Sequence, residues 1–154
     1  MYERILVTTD GSPLSRSAAL AGIEFARRVR ADVVGLYVAP EYQYPIYLEL
    51  VPSSFPSESD YRASIRQAGA AHLAPIENAA RAAGVPFVGL TVFSDATAQR
   101  IVDIARERGC DLIFIGSHGR SGWGQLLLGS VTNKVLSSCN IPVLVHRMRT
   151  DPDL

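Results

Sequence analysis

The stretch LIFIGSHGRSGWGQLLLGS, residues 112–130, decides how this chain folds. It opens with an uninterrupted apolar run ending at Gly116, the mark of a strand covered on both faces. Five glycines and three serines follow within residues 116–130, around one tryptophan and three consecutive leucines. Each glycine loses more conformational freedom on folding than any other residue, so a plain surface loop has no use for so many. Here the backbone is built to lie bare against another object. A helical pattern resumes near Ser130, a residue type favoured at a helix N-cap. Strand, glycine-rich loop and helix together form the repeating unit of an α/β fold.

The same alternation extends in both directions. ILVTT (5–9), VVGLYVA (33–39), FVGLTVF (87–93) and VLVHR (143–147) are further short apolar or β-branched runs. Between them lie helical periods. In the first, Ala19, Gly22, Ile23, Ala26 and Val29 share one face, opposite Arg16, Glu24, Arg27 and Arg28. In the third, Ala98, Ile101, Val102 and Ala105 oppose Arg100, Asp103, Arg106 and Glu107. The second helix spans about 58–83 and contains Pro75, which predicts a kink or a split into two. A fourth covers about 130–138. Residues 40–56, with four prolines and no period, read as a long excursion less ordered than the rest. This βαβαβαβαβ order predicts a single-domain α/β/α sandwich around a five-stranded parallel sheet. The domain is taken as residues 1–148, with 149–154 as a C-terminal tail.

Bulk properties narrow the function. At 154 residues the chain can bury a full core without disulfides or metal. Zero formal charge excludes the basic excess of a general nucleic-acid binder. No apolar run approaches the ~18 residues of a membrane span, and MYERILV enters a strand directly, so a cytoplasmic protein is expected. Cys110 and Cys139 fit no metal or CxxC spacing and are expected to be free, buried thiols.

In open α/β sheets ligands bind beyond the carboxyl ends of the strands. The richest loops there are TDGSP after the first strand and the glycine-rich stretch after the fourth. A Walker A loop fails, because GQLLLGS has no lysine; a dinucleotide fingerprint fails, because the first loop is TTDGSPLS. What remains is G-x2-G-x9-G-S: Gly116, Gly119, Gly129 and Ser130. Backbone N–H groups at a helix start form an anion site, so the object is read as a phosphate chain.

ILVTTDGS, GSHGRSGWGQLLLGSVTNKVL and CNIPVLVHR together resemble the universal stress protein family, the ATP-binding kind, over essentially the whole chain. The resemblance implies sheet order 3-2-1-4-5, which sets the loops after strands 1 and 4 side by side. By position it implies ATP binding by Thr8, Thr9, Asp10, Val38, Ile115, Gly116, Ser117, Gly119, Arg120, Gly129, Ser130, Val131 and Thr132. Asp10 would meet the ribose or a phosphate-bound Mg2+ or Mn2+, and Val38 would bracket the adenine. Many members carry proline where this chain has Thr8, a change at the adenine floor. The implied function is a nucleotide-dependent stress-response module rather than an enzyme, with at most slow ATP hydrolysis and unidentified protein partners. A homodimer is expected through the last strand, IPVLV, bounded by Ile141 and Val145, whose apolar edge carries no charge.

Each residue also has a plainer reading. Asp10 could cap the first helix, which starts with Pro13 at a position prolines favour. His118 has no nucleophile or carboxylate fixed beside it, so a loop-orienting role outweighs general-base work. Arg120 is either solvated or a phosphate clamp. Trp123 and Leu126–Leu128 read as a lid or a subunit contact, and Tyr42, Tyr44 and Tyr47 as a loop packing on itself. Two rival functions stand beside the ATP reading: a flavodoxin-like carrier of FMN, and a family member that no longer binds ATP. A phospho-receiver domain is rejected, because no lysine follows the fifth strand.

Overall fold

The computed structural model describes residues 1–46, 48–118 and 127–147. Its elements run β1 (Arg4–Thr9), α1 (Pro13–Val29), β2 (Asp32–Ala39), α2 (Glu58–Ala83), β3 (Phe87–Phe93), α3 (Thr97–Glu107), β4 (Leu112–Gly116), α4 (Ser130–Ser138) and β5 (Val143–His146). The strands form one five-stranded sheet in the order β3-β2-β1-β4-β5, parallel at every pairing.

Period-two alternation sorts the sheet's side chains between two cores. Ile5, Val7 and Val33 face α1 and α2, packing with Ala19, Ile23, Ala26, Ile76 and Ala80. Leu6, Val34, Leu36, Ile113 and Ile115 face α3 and α4, packing with Ala98, Ile101, Val102, Ala105 and Val135. Ile5, Leu6 and Val7 are all within 1% of complete burial, which is why the central strand reads as apolar on both sides.

Three expectations need correcting. Pro75 does not split α2, which runs unbroken through it over 26 residues. Its flanking residues Leu73 and Ile76 are both buried, so burial of that face holds the helix across the missing N–H. Ser130 is not the N-cap of α4: it is the first helical residue, and Gly129 occupies the cap. Cys139 is only half-buried, while Cys110 is buried; both are free.

Residues 40–56 hold no helix or strand where described, yet their base is tied down. Tyr42 packs against Tyr44, Phe55 and Tyr61, and its hydroxyl donates to the Pro56 carbonyl at 2.7 Å. The loop thus packs on itself through Tyr42 and Tyr44. Tyr47, Trp123, Leu126 and the 149–154 tail lie outside the described residues. Among the described residues, no helix is long and apolar enough to cross a membrane.

Candidate functional site

Side chains paired in register on neighbouring strands share a face of the sheet. Thr8 of β1 pairs with Leu36 of β2, and Val38 lies two residues further along the same face. Ile115 of β4 belongs to this face too, with Ile101 of α3 and Val131 of α4 packed toward it. At the carboxyl end of the sheet these residues bound a cavity of about 220 Å³. Leu36, Val38, Ile101, Ile115 and Val131 form its apolar wall. Thr8, Thr9, Asp10, Ser15, Thr97, Gly116, His118, Gly129, Ser130 and Thr132 supply its polar margin.

The structure therefore brings together ten of the thirteen residues singled out from sequence: Thr8, Thr9, Asp10, Val38, Ile115, Gly116, Gly129, Ser130, Val131 and Thr132. Ser117 is buried just behind the cavity; its carbonyl accepts from the Gly129 N–H at 2.8 Å. Gly119 and Arg120 lie outside the described residues. Sequence reasoning missed Ser15, Leu36, Thr97 and Ile101. Leu36 was within reach, since it precedes Val38 by two on a strand. Thr97 and Ile101 enter only because α3 crosses this face, which no local pattern announces.

Two local devices shape the polar margin. The first is the turn after β1. Gly11 takes φ +82°, and a Cβ there would strike the His72 imidazole at 2.5 Å, so only glycine fits. Asp10 Oδ1 accepts from the Ser12 N–H at 2.9 Å and from the Ser15 hydroxyl at 2.6 Å. Ser12, not Asp10, is the N-cap of α1, accepting from the Ser15 N–H at 3.2 Å, with Pro13 opening the helix. That corrects the capping alternative for Asp10.

The second device joins β4 to α4. The Thr132 hydroxyl donates to the Gly116 carbonyl at 2.9 Å, and the N–H of Gly129, the N-cap of α4, donates to the Ser117 carbonyl at 2.8 Å. These bonds draw the start of α4 onto the end of the sheet. Gly129 has φ −61° and ψ 157°, accessible to any residue, so its reason is proximity: a Cβ would sit 3.3 Å from the Ser117 carbonyl oxygen. Among the described residues, no side chain caps α4, whose first turn borders the cavity at Ser130, Val131 and Thr132. Uncapped first-turn N–H groups carry partial positive charge and suit an anion.

His118 lines the same cavity. Its Nδ1 lies 3.1 Å from the Ser117 hydroxyl, and its Nε2 is buried without a hydrogen-bond partner. Among the described residues, no carboxylate is hydrogen-bonded to this imidazole, whose one partner is the Ser117 hydroxyl. Among the described residues, no group of three or more His, Cys, Asp or Glu side chains is placed to hold a metal ion.

Comparison with known proteins places the arrangement. Residues 1–147 match the universal stress protein family. The chain is 32% identical to universal stress protein YxiE of Bacillus subtilis over 153 residues, covering 96% of this chain and all of that one. Among solved structures it is similar to MJ0577 of Methanocaldococcus jannaschii, with TM-score 0.78, 26% identity, and 98% and 99% of the two chains covered. A universal stress protein in complex with cAMP shares the fold at TM-score 0.66 and 24% identity, covering 95% and 97% of the two chains.

Proposed function

The chain belongs to the universal stress protein family, and from that premise we propose that its cavity binds an adenine nucleotide, ATP with a divalent ion. The observation that carries the reading is the meeting, in one cavity, of an apolar wall and an uncapped helix start. Leu36, Val38, Ile101, Ile115 and Val131 offer a base the apolar slot it needs. Ser130, Val131 and Thr132 offer first-turn backbone N–H groups to phosphates, Ser130 adds its hydroxyl, and Gly116 and Gly129 border the cavity without side chains to fill it. Asp10, on the opposite margin, suits a ribose hydroxyl or a phosphate-bound Mg2+ or Mn2+. The cAMP complex has the same fold, and the case for this chain rests on its own lining residues.

The role that follows is a binding and signalling one. Phosphoryl transfer to water needs a positioned base or water-orienting group beside clustered positive charge. Asp10 Oδ1 accepts from the Ser12 N–H and the Ser15 hydroxyl in the first loop, and His118 Nδ1 lies beside the Ser117 hydroxyl, which supports a binding role over a hydrolytic one. ATP is held, hydrolysed slowly at most, and read by partner proteins in the cytoplasm. Nucleotide chromatography of the denatured, purified protein tests this, together with calorimetric titration of ATP and Mg-ATP. Bound or titratable adenine nucleotide is expected. A yellow protein with flavin absorbance, or no nucleotide affinity at all, would overturn the reading.

A further inference from the structure

We propose that Ser15 is the positioning residue for Asp10, holding its carboxylate in the one orientation that meets the nucleotide. This rests on the adenine-nucleotide reading of the cavity. Ser15 is the third residue of α1, 7% exposed, and lines the cavity. Five polar atoms crowd its hydroxyl. The Asp10 Oδ1 lies at 2.6 Å and the Ser12 carbonyl at 3.1 Å. The Asp10 N–H lies at 3.2 Å, and the Ser12 and Thr9 hydroxyls each at 3.1 Å.

A hydroxyl has one proton and two lone pairs, so these contacts cannot all be made at once. The proton goes to the shorter, charged acceptor, Asp10 Oδ1. The lone pairs then accept from the Asp10 N–H and from one neighbouring hydroxyl. Ser15 thereby grips Asp10 twice, at its backbone donor and at its carboxylate, which closes a ring around the Asp10 χ1 torsion. The Ser12 N–H on the same oxygen completes the clamp.

Helix capping does not require this hydroxyl. The cap of α1 uses the Ser15 backbone N–H, which any residue keeps. Farther along α1, the buried Ala18 and Ala19 contribute no polar atom. Ser15 lines the cavity, and the short bond of its hydroxyl is to the residue assigned to ligand contact. Fixing a site side chain through a second hydrogen-bonding shell is how binding geometry is held to within fractions of an ångström.

The test is a double-mutant cycle with Mg-ATP as the titrant and calorimetry as the readout. Ser15→Ala is expected to weaken binding roughly tenfold, the equivalent of one charge-assisted hydrogen bond. In an Asp10→Ala background the same change should cost less than about twofold, because nothing remains to be positioned. Melting temperatures report folding for all four proteins. Equal losses in both backgrounds, or no loss in the wild-type background, would overturn the assignment. Should Asp10→Ala bind too weakly to titrate, a crystal structure of Ser15→Ala decides, and a carboxylate left unmoved there counts against it. A folded wild-type protein without ATP affinity would remove the nucleotide reading itself, and this inference with it.

Discussion

At the scale of single residues, Gly129 and Cys110 show what a sequence announces and what it hides. The glycine was legible as a close approach, but its neighbour was not: the missing Cβ faces the Ser117 carbonyl at 3.3 Å. Gly129→Val therefore does two things. It abolishes ATP affinity by filling the phosphate approach, and it costs about 1–3 kcal/mol of stability by overpacking the turn. Titration and urea unfolding of the same variant separate the effects; unchanged affinity in a folded protein would move the ligand away from this loop. Cys110 was legible as a free, buried thiol, but its charged neighbours were not. Burial, with Asp111 beside it, pushes its pKa from 9.0 to about 11, against the opposing pull of Arg4 and Arg108. Between those values the unfolded chain loses a proton that the folded chain keeps, so stability falls as pH rises through that window and is unaffected below it. Urea midpoints should drop more steeply between pH 9 and 11 for wild type than for Cys110→Ala. At pH 8 iodoacetamide should alkylate the half-buried Cys139 well before Cys110.

At the scale of elements, strands and amphipathic helices were readable because burial on one or two faces writes a period into the sequence. β3 and β4 begin and end where the apolar runs do. Two element-level readings, Ser130 as the cap and a split at Pro75, were not met for a common reason: local propensity yields to packing. Ser130 is a good cap by type, yet the Thr132 bond to Gly116 winds the helix one residue earlier. Pro75 is a helix breaker by type, yet the buried Leu73, Ile76 and Ala80 carry α2 past it. An interior proline costs roughly 3 kcal/mol through its lost hydrogen bond and ring clash. Pro75→Ala should recover part of that, about 1–2 kcal/mol, measured as a higher urea midpoint with an unchanged m-value. No gain would mean that the helix has already relaxed around the ring. The contribution of α3 to the cavity, Thr97 and Ile101, was illegible because it depends on which face α3 covers. That is a property of the topology.

At the scale of the whole molecule, the order β3-β2-β1-β4-β5 leaves β5 at an edge, with Val143, Leu144 and Val145 only half-buried. The Pro142 carbonyl accepts from the Ile113 N–H at 2.9 Å, and the His146 carbonyl from the Ser117 N–H at 2.9 Å, so both face β4. Backbone groups alternate sides along a strand. Leu144 therefore also faces β4, while Val143 and Val145 turn their N–H and C=O groups outward. An apolar edge with unpaired donors and acceptors must be covered or used. A second copy pairing antiparallel about a two-fold axis satisfies both outward residues of each strand and closes the assembly. Leu144 is a poor place to test this, because its side chain packs into the α1/α2 core. A charge there would unfold the protein before it separated two copies. Val145→Pro is the cleaner probe: it deletes one outward N–H and leaves the β4 ladder intact, and prolines are tolerated at edges whose N–H faces out. Wild type should scatter light as a dimer at micromolar concentration, and Val145→Pro should shift toward monomer with its circular dichroism preserved. A monomeric wild type, with and without ATP, would mean that β5 remains a solvated edge.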